Sequence, residues 1–233
     1  MTTFICHPER NGPHPVVLFY MDAPGIREEL RDMARRIASV GYYVMLPNLY
    51  HRLGIFELGD YTGPQNADVR ERIMGYMATV DIPMVMDDTD SLVKFATEDP
   101  AASDHTIGTL GYCMSGRYAL GAAARYPERV RAAASIYGTK LFVDGDDSPH
   151  ITVRNAKAEL YIACAEVDHY VPLETMAPLR ESLNAAGLKA EVELYPGVEH
   201  GFAFPGRPTY HKASAERHWE RVLALFARNL ASR

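Results

Sequence analysis

An α/β fold, with a mostly parallel sheet carrying helices on both faces, follows from three features of the sequence. Short apolar runs of strand length alternate with longer segments in which apolar residues recur at helical spacing. The runs are nearly continuous in apolar character, as strands buried on both faces are. The stretches between them are long enough to hold a helix, and parallel neighbours need such a crossover.

Val16 to Met21 is the first such run, and Asp22, Ala23, Pro24 and Gly25 break it. Ile26, Leu30, Met33, Ile37 and Val40 then trace one helical face, which Gly41 closes. Tyr42 to Leu46 is a second strand, ending at Pro47, so strand, helix and strand form a parallel crossover. Residues 48–66 mix turn formers with aromatics and read as a loop over the carboxyl edge of the sheet. Asn66 to about Thr97 reads as one or two helices with a break near Asp81 to Pro83. Thr106 to Tyr112 is a strand, Met114 to Arg125 its helix, and Arg131 to Tyr137 and Ala158 to Ala165 are two more strands. A polar loop from Gly138 to Ala156 separates those two. A helix from about Leu173 to Ala186, a strand from Lys189 to Tyr195 and an amphipathic helix from roughly His211 to Leu230 complete the chain. No linker-like stretch divides it, so residues 1–233 are read as a single domain.

With 233 residues and 47% hydrophobic content, the chain can bury a substantial core. A net charge of −6 carries no basic footprint for nucleic acid or an anionic membrane, and neither is expected as a partner. Three cysteines, Cys6, Cys113 and Cys164, form neither a zinc pattern nor a disulfide framework, which suits a reducing cytoplasm. No apolar run reaches signal-peptide or membrane-spanning length, so a cytoplasmic protein is expected. Neither a metal site nor a glycine-rich phosphate loop is recognisable.

The richest stretch is Ile107 to Arg117, where a buried strand turns abruptly into an alanine-rich helix. Gly111, Ser115 and Gly116 are the small residues that let strand and helix approach closely, and Cys113 stands at the tip. A thiol there meets the positive end of a helix, which favours the thiolate, and the amide of Met114 can hold a developing oxyanion. Ser115 is the rival nucleophile, although it lacks the flanking glycines. A buried, inert cysteine is the other reading of Cys113.

Downstream residues argue for the reactive reading. Asp168 and His200 each follow an apolar strand directly, in the chain order nucleophile, acid, histidine. Cys113 would attack a carbonyl, His200 would move protons, and Asp168 would hold the imidazole tautomer. Glu166 competes for the acid position. His211 and His218, seven apart on the last helix, are expected to be exposed.

With GYCMSG at 111–116, VDHYVP at 167–172, EHGF at 199–202 and LPNLYHR at 46–52, the chain resembles the dienelactone hydrolase (carboxymethylenebutenolidase-like) family of α/β hydrolases. The resemblance runs from about Val16 to the last helix and matches Cys113, Asp168 and His200 to that family's triad. It implies an α/β-hydrolase fold and a cofactor-independent hydrolase. It also implies that Asp22 stands where an acid contacts the resting thiol, usually a glutamate, and that Ala23 supplies the second oxyanion-hole amide. Arg72 with Tyr76 corresponds to one substrate-carboxylate clamp, or else Arg72 is a helix-surface charge. Phe204 occupies the place of a second clamping arginine, with Arg207 nearby, which points to a less acidic, more apolar substrate lined by residues such as Phe204 and Tyr50.

The expected activity is hydrolysis of small carboxylic esters or lactones through an acyl-cysteine, by a monomer or homodimer. The same site acting on organophosphate triesters, and an inactive binding protein of hydrolase fold, are the alternatives.

Overall fold

The computed structural model describes residues 1–61 and 63–230, with residues 64 and 104 as backbone alone. Residue 62 of the aromatic loop and the last three residues of the expected 1–233 domain lie outside the described residues. Among the described residues, seven strands form one sheet: β1 (Thr3–Cys6), β2 (His14–Tyr20), β3 (Tyr43–Pro47), β4 (Ala102–Tyr112), β5 (Val130–Ile136), β6 (Glu159–Val167) and β7 (Ala190–Glu199). Their spatial order is β1-β3-β2-β4-β5-β6-β7, and all neighbours are parallel except β1 with β3. The mostly parallel sheet read from the sequence is therefore present. β1 is an addition: four half-buried residues on an antiparallel edge are too few to show a period.

The helices are α1 (Glu28–Ala38), α2 (Ala67–Ala78), α3 (Ile82–Glu98), α4 (Gly116–Arg125), α5 (Pro149–Thr152), α6 (Met176–Ala185) and α7 (Lys212–Asn229). α1 and α7 share one face, where Arg36 pairs with Glu216 at 2.6 Å and lies over the Trp219 ring. α3, α4 and α6 cover the other, as crossovers of one hand require. β2 is buried along its whole length, which explains its unbroken apolar run. Gly108 of β4 lets α7 close in: a Cβ there would lie 2.6 Å from Leu230 Cδ1 and 3.0 Å from Phe226 Cε1.

The break anticipated near Asp81 is a helix cap. Asp81 accepts a 2.8 Å hydrogen bond from the Met84 amide, and Pro83 sits in the first turn, so α3 starts afresh after α2. α2 itself buries only Ile73 completely among its described residues. His218 corrects an expectation: it is fully buried, with its Nε2 2.8 Å from the Tyr112 hydroxyl, whereas His211 is exposed and caps α7. The stripe Ala215, His218, Trp219, Val222 places it on the core-facing side of the helix.

Candidate active site

The turn after β4 has the geometry of a nucleophile elbow. Cys113 adopts φ +55°, a left-handed conformation costly for a residue with a side chain, in a single 3₁₀ turn (Cys113–Ser115) that leads into α4. A Cβ on Gly111 would lie 2.0 Å from the Ser115 carbonyl oxygen, and one on Gly116 2.2 Å from Ser135 Oγ and 2.6 Å from Gly138 Cα. Only glycine fits at either place. The Thr139 amide donates to the Cys113 carbonyl at 3.0 Å, tying the elbow to the loop after β5. Cys113 is a free thiol and only half-buried. Ser115, its rival, is fully buried and donates its hydroxyl to the Met21 carbonyl, so its oxygen is engaged as a structural tie.

Asp168 and His200 meet across the ends of β6 and β7. His200 Nδ1 lies 2.7 Å from Asp168 Oδ2, while Asp168 Oδ1 accepts from the amides of Tyr170 at 2.8 Å and Val171 at 3.1 Å. An acceptor-only carboxylate held this way requires a hydrogen on Nδ1. Glu166, the other acid considered, is exposed and instead accepts from the Gly197 amide at 2.6 Å. The rings of Tyr137 and Tyr170 lie against His200, with centroids 4.7 and 4.9 Å away.

His200 Nε2 is buried without a hydrogen bond of normal length. Cys113 lies close enough to raise the pKa of the ring. Burial alone would lower the pKa of His200, but the hydrogen bond to Asp168 and the nearby Cys113 sulfur outweigh it and raise the value from 6.5 to about 9. The histidine therefore tends to hold its proton beside the thiol.

The loop after β2, residues 22–25, is fastened from two sides. Tyr50 donates its hydroxyl to the Ala23 carbonyl at 2.8 Å, touches the Met114 sulfur at 3.7 Å and packs its ring toward Gly25. One buried phenol thus joins the two residues expected to supply oxyanion amides. Tyr76 lies against the Tyr50 ring at 5.9 Å.

Asp22 is fully buried, and both its oxygens are occupied by guanidinium groups. Arg27 reaches Oδ1 at 2.6 Å and Oδ2 at 3.2 Å, and Arg207 reaches Oδ2 at 2.6 Å. The acid expected beside the thiol is thus the centre of a two-arginine clamp, and Glu29 pairs with the outer edge of Arg27 at 2.8 Å. Arg27 was not anticipated, although it lies five residues after Asp22 in MDAPGIR. Phe204 is likewise changed in role. It is completely buried, offers no surface to a ligand, and has the Arg27 and Arg207 guanidiniums 5.0 and 4.6 Å from its ring centroid. Arg72 is exposed on α2, with no hydrogen bond or ion pair among the described residues.

Among the described residues, no group of three or more His, Cys, Asp or Glu is arranged to hold a metal ion, and no helix is long and apolar enough to cross a membrane.

An elbow on a buried strand, followed by an acid and a histidine at later strand ends, defines an α/β hydrolase. The dienelactone hydrolase family profile matches residues 1–230, and the chain belongs to that family, whose members hydrolyse ester or lactone bonds. It is 33% identical over 221 residues to a candidate carboxymethylenebutenolidase of Escherichia coli K12, covering 94% of this chain and 78% of that one. A candidate carboxymethylenebutenolidase of Salmonella typhi is 32% identical over 231 residues, covering 97% and 82%. The crystal structure of a candidate dienelactone hydrolase from Klebsiella pneumoniae superposes with a TM-score of 0.84 at 27% identity, covering 97% of this chain and 92% of that one.

Proposed function

We propose that the protein is a thiol hydrolase of small, uncharged carboxylic esters or lactones, working through an acyl-Cys113 intermediate. The observation that carries this reading is the buried Asp168–His200 pair, whose Nε2 is left without a hydrogen-bond partner and whose pKa is raised by Cys113, a half-buried thiol on a strained elbow. Cys113 Sγ attacks the carbonyl carbon as a thiolate, and the amides of Met114 and Ala23 receive the oxyanion. Collapse of the tetrahedral species breaks the carbon–oxygen bond. His200 then delivers its proton to the departing alkoxide. Water, deprotonated by His200, cleaves the thioester and restores the thiol.

The preference for an uncharged substrate rests on the arginines. Arg27 and Arg207 are both neutralised by Asp22 and Glu29, so neither is a free cation for a substrate carboxylate. Arg72, with Tyr76 on the same helix, remains the candidate contact for an acidic substrate. The test is turnover of a neutral aryl ester, a neutral lactone, a carboxylate-bearing dienelactone and a phosphate triester by wild type and Cys113→Ala. Faster cleavage of the neutral carboxylic substrates, abolished in the variant, is expected. Activity retained without the thiol contradicts the mechanism, and a strong preference for the dienelactone or the triester contradicts the substrate class.

A further inference from the structure

A single hydrogen bond does not hold an imidazole still. The 2.7 Å contact between His200 Nδ1 and Asp168 Oδ2 fixes one atom of the ring but leaves its far side, where Nε2 lies, free to rock. Nε2 is the atom that must deliver and collect the proton. A displacement of about 1 Å at such an atom can cost on the order of 10²-fold in rate.

Two tyrosine rings supply the missing restraint. Tyr137, directly after β5, and Tyr170, in the turn after β6, have ring centroids 4.7 and 4.9 Å from that of His200, at interplanar angles of 57° and 64°. Such inclined contacts are the favoured geometry for ring pairs. Both tyrosines are set in place by the groups that form the site. Asp168 Oδ1 accepts from the Tyr170 and Val171 amides, so one carboxylate holds the imidazole with one oxygen and fixes the tyrosine lying on it with the other. Tyr137 adopts φ +38°, a left-handed conformation costly for an aromatic residue, and two residues on the Thr139 amide bonds the Cys113 carbonyl at 3.0 Å. Its ring also packs on Tyr112 and Phe202, with centroids 5.8 and 5.3 Å away. Tyr137 is 1% exposed and belongs to the core, whereas Tyr170 is 62% exposed. A ring left that far in water contributes little to folding, so core packing does not explain its place on the imidazole.

We propose that Tyr170 is a positioning residue for His200, completing with Tyr137 an aromatic bracket that keeps Nε2 directed at the departing oxygen. The inference rests on the thiol-hydrolase reading above. In acylation the Cys113 sulfur–carbon bond forms and the carbon–oxygen bond breaks, its electron pair staying on the departing oxygen. The His200 proton then passes to that oxygen, and it is this transfer that the bracket serves.

The test is kcat/KM of the full-length protein on a series of phenyl acetates that differ in the acidity of the departing phenol. An acidic phenol leaves as its anion, whereas a weakly acidic one needs the proton, so a misplaced general acid shows as a steeper dependence on phenol acidity. Tyr170→Ala should lose roughly tenfold on the least acidic phenol and little on the most acidic. Tyr170→Phe keeps the ring and should follow the wild-type line. Tyr137→Phe should do the same, because its hydroxyl is buried with no hydrogen-bond partner among the described residues. Circular dichroism checks folding, and Tyr170→Ser gives the same reading if the alanine variant does not fold. A line for the ringless variant that is parallel to the wild type or shallower, at whatever height, shows that Tyr170 does not act through proton transfer and overturns the bracket alone. A steeper line for either phenylalanine variant assigns the effect to a hydroxyl and also overturns it. No turnover of any phenyl acetate by the wild type, or full turnover by Cys113→Ala, overturns the hydrolase reading and the bracket with it.

Discussion

His200 Nδ1 and Asp168 Oδ2 are 2.7 Å apart, and the aspartate's other oxygen is saturated by two backbone amides. The carboxylate can therefore neither rotate away nor accept a proton without losing contacts. Asp168→Asn keeps the shape but removes the charge that holds Nδ1–H. On this account kcat/KM for a neutral ester falls by roughly 10³- to 10⁴-fold. The His200 pKa also drops from about 9, because burial is then opposed by less. Kinetics together with an imidazole titration followed by NMR check both.

Tyr50 tests whether the oxyanion loop is positioned from a distance. Its hydroxyl joins Ala23 to the Met114 side chain without lying on the attack path. Tyr50→Phe removes one buried hydrogen bond and leaves the ring in place. A net loss of about 1 kcal/mol corresponds to roughly a fivefold fall. It should appear in kcat, with KM little changed, because in the proposed mechanism the loop serves the transition state. A fall in KM-related binding alone would instead make Tyr50 a substrate contact.

The elbow and the Asp168–His200 contact were legible in the sequence because each depends on local chemistry. Gly111 and Gly116 announce the tight turn, and Asp168 and His200 follow apolar strands directly. The α2–α3 break was equally local, in Asp81 and Pro83. The arginine clamp on Asp22 was not legible, because one of its partners, Arg207, lies 185 positions away in sequence. Phe204 was placed by correspondence with a family position, which says nothing about the two guanidiniums over its ring. His218 was legible and missed: the i, i+3, i+4, i+7 stripe already held it on the buried face of α7.

Asp22 with its arginines is a buried ion cluster, so its members are coupled. Arg27→Met leaves Asp22 with Arg207 alone and Glu29 with only the Gly206 amide, at a cost of roughly 3 kcal/mol in urea unfolding. Removing Arg27 and Arg207 together strands a fully buried carboxylate. The double variant should therefore lose more than the sum of the single losses. Additive losses would show that Asp22 is relieved by another group.

Two histidines bound the stability of the fold on either side of neutrality. His200 has its pKa raised from 6.5 to about 9, so its contribution is complete below about pH 6.5 and disappears as pH rises toward 9. His218 behaves oppositely. Burial lowers its pKa from 6.5 to about 3, so its contribution is complete above pH 6.5 and is lost as pH falls toward 3. Its Nδ1 donates to the Ala215 carbonyl, so Nε2 accepts from Tyr112, and protonation would reverse that bond and bury a charge. His218→Leu should lower stability at neutral pH yet flatten the acid limb by up to about 1.4 kcal/mol per pH unit. Urea midpoints measured between about pH 4 and 6 for both proteins resolve the slope. Parallel limbs would mean that His218 does not titrate on unfolding.

The central claim is that Cys113 carries the acyl group. Rapid acid quench of the wild type with an aryl acetate, followed by peptide mass spectrometry, reads this directly. The account predicts one acetyl group on the peptide containing Cys113, lost on treatment with hydroxylamine and absent from Cys113→Ala. An acetyl group on Ser115, or full turnover by Cys113→Ala with no acylated peptide, would contradict it.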